Sequence, residues 1–215
     1  MDSIAFAFCD AVVGTINDLP RVDVPFRDAK WNKALQDHSA NRQCFKLHVR
    51  YRDGQWSCVM FHANMVYNAV LTTVLQQVGP KYLRIDCIQC VAYGCIGVER
   101  SKEELHVLLN SLQPFLNFPK LYLHDDDSHF PESDLTELLS SFSKVNICSF
   151  YSCCNRRRAL EFAKQLMQQD TLVKEITMPG AEHALAAEIV EYQATGRVVH
   201  VKTDFIRETS LWFVR

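Results

Sequence analysis

Glycine is scarce in this chain, seven residues in 215, and none of them forms the G-x-G-x-x-G or G-x-x-x-x-G-K-[ST] spacing that cradles phosphates after a strand. A nucleotide site of either kind is thereby excluded. Charge of one sign is lacking as well. The formal net charge is −2, so no basic field dominates, and protein partners are expected rather than nucleic acid or an acidic membrane surface. No apolar run approaches the roughly 18 residues that cross a bilayer. There is no Gly-x-Ser-x-Gly turn to present a nucleophile. The start, MDSIAFAFCD, has no basic segment ahead of its apolar residues and no small-residue cleavage site, and the cysteine count is odd, nine. The expectation is an intracellular protein of cytoplasm or nucleus, with its thiols mostly free and buried.

What is present is an ordinary globular composition, 48% apolar, enough for one or two cores. Ile4, Phe8, Val12, Val13 and Ile16 recur at helical spacing, which predicts a helix over about Ser3–Leu19, ended by Pro20. Trp31 and Leu35, one turn apart, predict a second helix around Asp28–His38. These two make up a helical segment, 1–40. A larger unit, 41–215, begins with a β-hairpin: Phe45, Leu47, Val49 and Tyr51 alternate before Asp53-Gly54, and Trp56, Cys58 and Met60 alternate after it.

Beyond the hairpin the chain repeats one pattern, a helix with one apolar face followed by a short strand. A helix over Asn64–Val78 precedes the strand at Leu83 and Ile85. Ser101 and Glu104 have capping-box spacing ahead of Leu105, Leu108, Leu109 and Leu112. The strand Leu121–Leu123 follows. Leu135, Leu138, Leu139 and Phe142 repeat the spacing before a strand at Val145–Ile147. Ala159, Phe162, Ala163 and Leu166 do so before Val173–Met178, and a helix over about Ala181–Gln193 leads to Val199 and Val201. The strand-to-strand intervals run from about 24 to about 38 residues, most within the ~20–29 of leucine-rich repeats. The fold class is α/β. The units stack either as leucine-rich-repeat-like βα units or as an open parallel sheet, since both use the same connections. Thr209–Arg215 reads as a last strand beside Val198–Val201.

The spacing Ile4-x3-Phe8-x3-Val12-Val13-x2-Ile16 with Trp31 in the next helix resembles an F-box, with Ile4-Ala5 where that module usually has Leu-Pro. The whole layout is similar to the F-box and F-box-associated families expanded in nematodes, in which a short helical module precedes irregular α/β repeats. The resemblance implies a substrate receptor of a Skp1/cullin-type ubiquitin ligase, without catalysis of its own. It places Phe6, Phe8, Val12, Ile16, Leu19 and Pro20 near a Skp1-type adaptor, supported by Trp31. Spacing alone leaves open that this helix packs on its own protein.

The repeats offer a second surface. Residues between inward-facing apolar strand positions point the other way, so Arg84, Tyr122, Asn146, Thr177 and His200 are expected to form a row on the open sheet face, flanked by Asp86, His124 and Cys148. Its mixed charge suits a protein or peptide. Chemical readings are thinner. Cys87-x2-Cys90, with Cys95 and Cys153-Cys154, has ligand types for zinc, yet no second CxxC or HxxxH completes a known set, so no metal or cofactor is expected. The other reading is a small α/β enzyme with its site at the carboxyl ends of the strands, around Asp125, Asp126, Asp127 and Cys153, beside His124. Arg156, Arg157 and Arg158 stand at a helix start, where cations oppose the dipole, and call for an acidic neighbour such as that loop or a bound phosphate.

Overall fold

In the computed structural model, residues 5–16, 26–52, 55–62, 65–67, 76, 78–91, 98–116, 118–124, 132–143, 145–153, 157–169, 173–197 and 199–202 are described. Alternation becomes pairing where the hairpin is expected. β1 (Gln43–Arg52) and β2 (Gln55–His62) run antiparallel from Arg52↔Gln55 to Lys46↔Phe61. Two short strands, β3 (Met65–Tyr67) and β5 (Val98–Arg100), pair with β2. β3 occupies part of the predicted helix 64–78, whose centre, 68–75, lies outside the described residues.

On the other side of β1 lies β4 (Leu83–Val91), parallel to it. β6 (Lys120–His124), β7 (Ser149–Ser152), β8 (Glu175–Thr177) and β9 (His200–Lys202) then add in chain order, all parallel. The sheet order is β3-β2-β1-β4-β6-β7-β8-β9, with β5 also on β2. This is an α/β fold with an antiparallel start and a parallel continuation.

Two expectations shift in phase. Val145 and Ile147 are buried but precede the strand, and pairing starts at Ser149. Cys148 bridges the flanking chains through backbone bonds to Pro119 and Lys174 (3.1 and 2.8 Å). In β4 the register slips between Ile85 and Cys87, so Asp86 is an extra residue and the phase of burial changes there.

The helices explain the burial. The N-terminus of α3 (Lys102–Leu112) carries the expected box: Ser101 Oγ accepts from the Glu104 amide at 3.2 Å, and Glu104 Oε2 accepts from the Ser101 amide at 2.9 Å. Such caps contribute about 1 kcal/mol. α4 (Glu132–Ser141) and α5 (Arg157–Gln168) follow, with Leu135, Leu138, Leu139, Ala159, Phe162, Ala163 and Leu166 buried as their spacing predicts. The last expected helix is broken at buried Leu185 into α6 (Ala181–Ala184) and α7 (Ala186–Ala194).

All of these buried side chains belong to one core, together with one face of every long strand. Its central row is Met60, Leu47, Ile88, Leu121, Phe150, Ile176 and Val201, residues in register across seven strands. A fully buried Leu, Ile or Phe in it gains about 1.5–3 kcal/mol. Among the described residues the helices after the hairpin thus cover a single face, as in the stacked-repeat arrangement; a doubly wound sheet would have both faces covered. The expected tail strand, 209–215, lies outside the described residues.

The helical pair forms a second, smaller cluster. α1 (Phe6–Thr15) and α2 (Ala29–Asn41) bury Cys9, Val13, Ala34 and Leu35, with Phe6 and Trp31 against them. Asp28 caps α2 by accepting from the Lys30 amide at 2.7 Å. Polar contacts tie the pair to the sheet. Arg84 of β4 donates to the Gly14 carbonyl at 2.8 Å, and Arg42 donates to the carbonyls of Val13, at 2.8 Å, and Ile16. Both guanidiniums thus satisfy the orphan carbonyls at the negative end of α1. Asp10 meets Lys81 at 2.7 Å and His38 Nε2 at 3.2 Å.

Candidate binding surfaces

The strand residues that alternate with the core positions define the opposite face of the sheet. One row across it reads Val59, His48, Gln89, Tyr122, Tyr151, Thr177 and Lys202. The neighbouring row reads Phe61, Lys46, Cys87, Lys120, Ser149, Glu175 and His200. None of these residues belongs to the main core.

At the centre, the rings of Tyr122 and Tyr151 stack with centroids 4.3 Å apart and planes 6° from parallel; His124 continues the stack at 6.0 Å and 2°. Strand spacing is about 4.8 Å, so rings stacked from one strand to the next stand on edge above the sheet and present their rims outward. Tyr151 Oη donates to Glu175 Oε2 at 2.9 Å, and Lys202 Nζ reaches the other carboxylate oxygen at 2.5 Å. On β1, His48 packs on Phe61 with centroids 4.3 Å apart.

The electrostatics follow from burial and partners. Burial, with Lys46 and His124 adding repulsion, holds His48 down to about 4, so it is neutral at physiological pH. Burial and the bond to Glu175 push the Tyr151 hydroxyl up to about 12. For Glu175, burial alone would raise the carboxyl, but Lys202 and Tyr151 outweigh it and hold it below the usual range.

Of the five residues expected in the open row, Tyr122 and Thr177 share one row through Tyr151. His200 stands exposed in the next, level with Glu175. Asn146 does not join them. It is exposed in the chain before β7, because the strand starts three residues later, and Tyr151 holds the place beside Tyr122. Arg84 does not face a ligand either, being committed to the end of α1. Among the flanking residues, His124 joins the stack, Asp86 is the exposed bulge residue, and Cys148 is buried. His48, Tyr151, Glu175 and Lys202 were missed. Lys46-x-His48-x-Arg50 could have given the β1 members, since they alternate with the hairpin's apolar set.

The zinc reading meets a geometric obstacle. Cys87 aligns with Lys46 and Lys120 on the open face, whereas Cys90 aligns with Val49 and Leu123 in the core. Three residues apart on a strand means opposite faces. Burial pushes both thiols up to about 12. Among the described residues no group of three metal-ligating side chains assembles. Cys95, Cys154 and Asp125–Asp127 lie outside the described residues; Cys153 is half-buried just past β7, its amide bonded to the Leu123 carbonyl at 3.1 Å. Arg157 and Arg158 find acids in helices: both pair with Glu161, at 2.8 and 2.6 Å, and Arg158 lies 3.8 Å from Glu132. Arg156 lies outside the described residues.

On the helical pair, Cys9 and Val13 face inward, and the expected contact residues are distributed around them. Phe8 is 56% exposed and Phe26 48%, and both rings pack on half-buried Trp31, with centroids 6.2 and 6.1 Å away. Phe6, Val12 and Ile16 are half-buried. Leu19 and Pro20 lie outside the described residues. No described helix is long and apolar enough to cross a membrane. Compared with family models, with curated proteins and with solved structures, the chain matches none.

Proposed function

We propose that the protein works by binding other proteins, as a substrate receptor of a Skp1/cullin-type ubiquitin ligase. In this reading the helical pair meets the adaptor and the open sheet face receives the substrate. The observation that carries it is the one-sidedness of the sheet. Among the described residues helices cover one face, while the other carries a stacked aromatic centre with polar side chains around it, together with the buried Val59, Cys87, Ser149 and Thr177, a composition that supports a recognition surface. The exposed aromatic group of Phe8, Phe26 and Trp31 supports a separate contact on α1 and α2.

The test is a titration of the full chain against a Skp1-type adaptor, with Phe8→Asp as the variant. Because Phe8 is more than half exposed, the variant should fold normally by circular dichroism. Binding by the wild type that drops at least tenfold in the variant supports the receptor reading. A folded wild type that does not bind the adaptor removes the ligase role and leaves the sheet face as the protein's interaction surface.

A further inference from the structure

A buried histidine stands where the helical pair meets the sheet. His38, in the last turn of α2, is 1% exposed, and both of its ring nitrogens are engaged. Nε2 lies 3.2 Å from Asp10 Oδ1 on α1, and Nδ1 lies 3.4 Å from the guanidinium of Arg42, just past α2. A guanidinium can only donate and an ionised carboxylate can only accept, so Nδ1 carries the lone pair and Nε2 the proton. The surroundings thus select a neutral ring of one tautomer. Among the described residues, the other groups around it come from the sheet side. Lys81 meets Asp10 at 2.7 Å, and the Tyr82 ring packs edge-on against the histidine at 5.4 Å. Arg84 and His38 close together over Gly14, where an added Cβ would lie 3.5 Å from each. Cys44 of β1 is within electrostatic reach of Arg42 and Arg84.

Arg42 also donates to the carbonyls of Val13, at 2.8 Å, and Ile16, so the guanidinium that touches His38 is one of the two that hold the end of α1. A proton on Nδ1 would turn its acceptor into a donor and set two cations 3.4 Å apart. We propose that His38 is an acid-sensitive latch: protonation of Nδ1 displaces Arg42 and frees the C-terminal end of α1 from α2 and the sheet. Burial and the charge of Arg42, with Lys81 adding to them, outweigh the pull of Asp10 and hold His38 below the ordinary histidine range. Burial would raise the Asp10 carboxyl, but Lys81 and His38 hold it below the ordinary carboxylate range, so it stays ionised near neutrality and does not share the titration. A ring exposed by opening takes up its proton near the ordinary ~6.5, before the closed ring does. The latch is therefore complete above that pH and is lost as pH falls from there through the lowered value.

The experiment is NMR of the full chain between about pH 7.5 and about pH 5, the range in which a histidine changes charge. A long-range proton–nitrogen correlation reads the His38 tautomer, and amide exchange corrected for intrinsic rates reads the protection of α1. The expected result at the higher pH is a neutral ring with its proton on Nε2. On acidification the protection of the α1 amides, relative to those of β1 and β4, should fall about fivefold or more. In His38→Gln, which cannot titrate, the same ratio should stay constant within about twofold. A proton on Nδ1 at neutral pH overturns the proposal, because that nitrogen could not then accept from Arg42. Unchanged α1 protection in the wild type overturns it too. So does an equal acid loss in His38→Gln, which would assign the effect to another group. The tautomer and the wild-type exchange decide the matter even where His38→Gln fails to fold.

Discussion

The two faces of the sheet come from the same strands, residue by residue in alternation, and they are built to different rules. Along β1, Phe45, Leu47 and Val49 are fully buried, while Lys46, His48 and Arg50 between them are only partly so. Across β6 and β7, Leu121 and Phe150 sit in the core and Tyr122 and Tyr151 stack on the other side. The covered face gains its energy from area removed from water, which is insensitive to pH and salt. The opposite face is held by ring stacking, a carboxylate with two donors and a neutral histidine, each of small worth, the ion pair being responsive to pH and salt. The core and the stacked aromatic row are thus separated by the period of two of a β-strand.

Substitutions should break this comparison in order of burial. Phe150→Ala removes a ring with no exposure that packs edge-on against Phe162 at 5.4 Å, and should cost about 3–5 kcal/mol in urea unfolding. That is a large part of the ~5–15 kcal/mol available to a typical domain. Arg84→Ala tests the junction between the helical pair and the sheet. Losing charged hydrogen bonds to the Gly14 carbonyl should cost about 1.5–3 kcal/mol, read as faster hydrogen exchange of α1 amides with the sheet's protection unchanged. Equal loss of protection throughout would mean that the two clusters unfold as one.

The smallest effect belongs to Glu175→Gln. The carboxyl is held below its ordinary value, so its contribution is present above the usual glutamate range and is lost as pH falls through the lowered value. The stability difference between wild type and variant, below ~1 kcal/mol at neutral pH for so exposed an ion pair, should therefore shrink to nothing at acid pH. A difference that grows as pH falls would contradict the sign.

The hairpin, the capping box at Ser101 and the apolar rows of α3, α4 and α5 were legible because each is a local pattern with one physical reading. What failed were the phases. Val145-Asn146-Ile147 alternates like a strand, yet burial shifts parity between Ile147 and Phe150, and the pairing begins after that slip. Asp86 does the same within β4. An extra residue is favoured or not by the neighbouring strands, which alternation does not encode. α1 is apolar on nearly every side, so spacing could not choose between the face of Phe8 and that of Cys9 and Val13; packing on α2 chose the latter. Tyr151, the centre of the candidate site, was missed because its strand was placed too early.

The most direct measurement compares two neighbours in β6, Leu121→Ala and Tyr122→Ala, by urea unfolding of the full chain. Leu121 has no exposure and lies in the core row, so its loss should cost about 2–5 kcal/mol. Tyr122 is half-buried on the open face, and losing its stack with Tyr151 should cost about 0.5–1.5 kcal/mol. Equal losses would mean that Tyr122 lies in a second covered core, and the division between a stabilising face and the face proposed for recognition would fall.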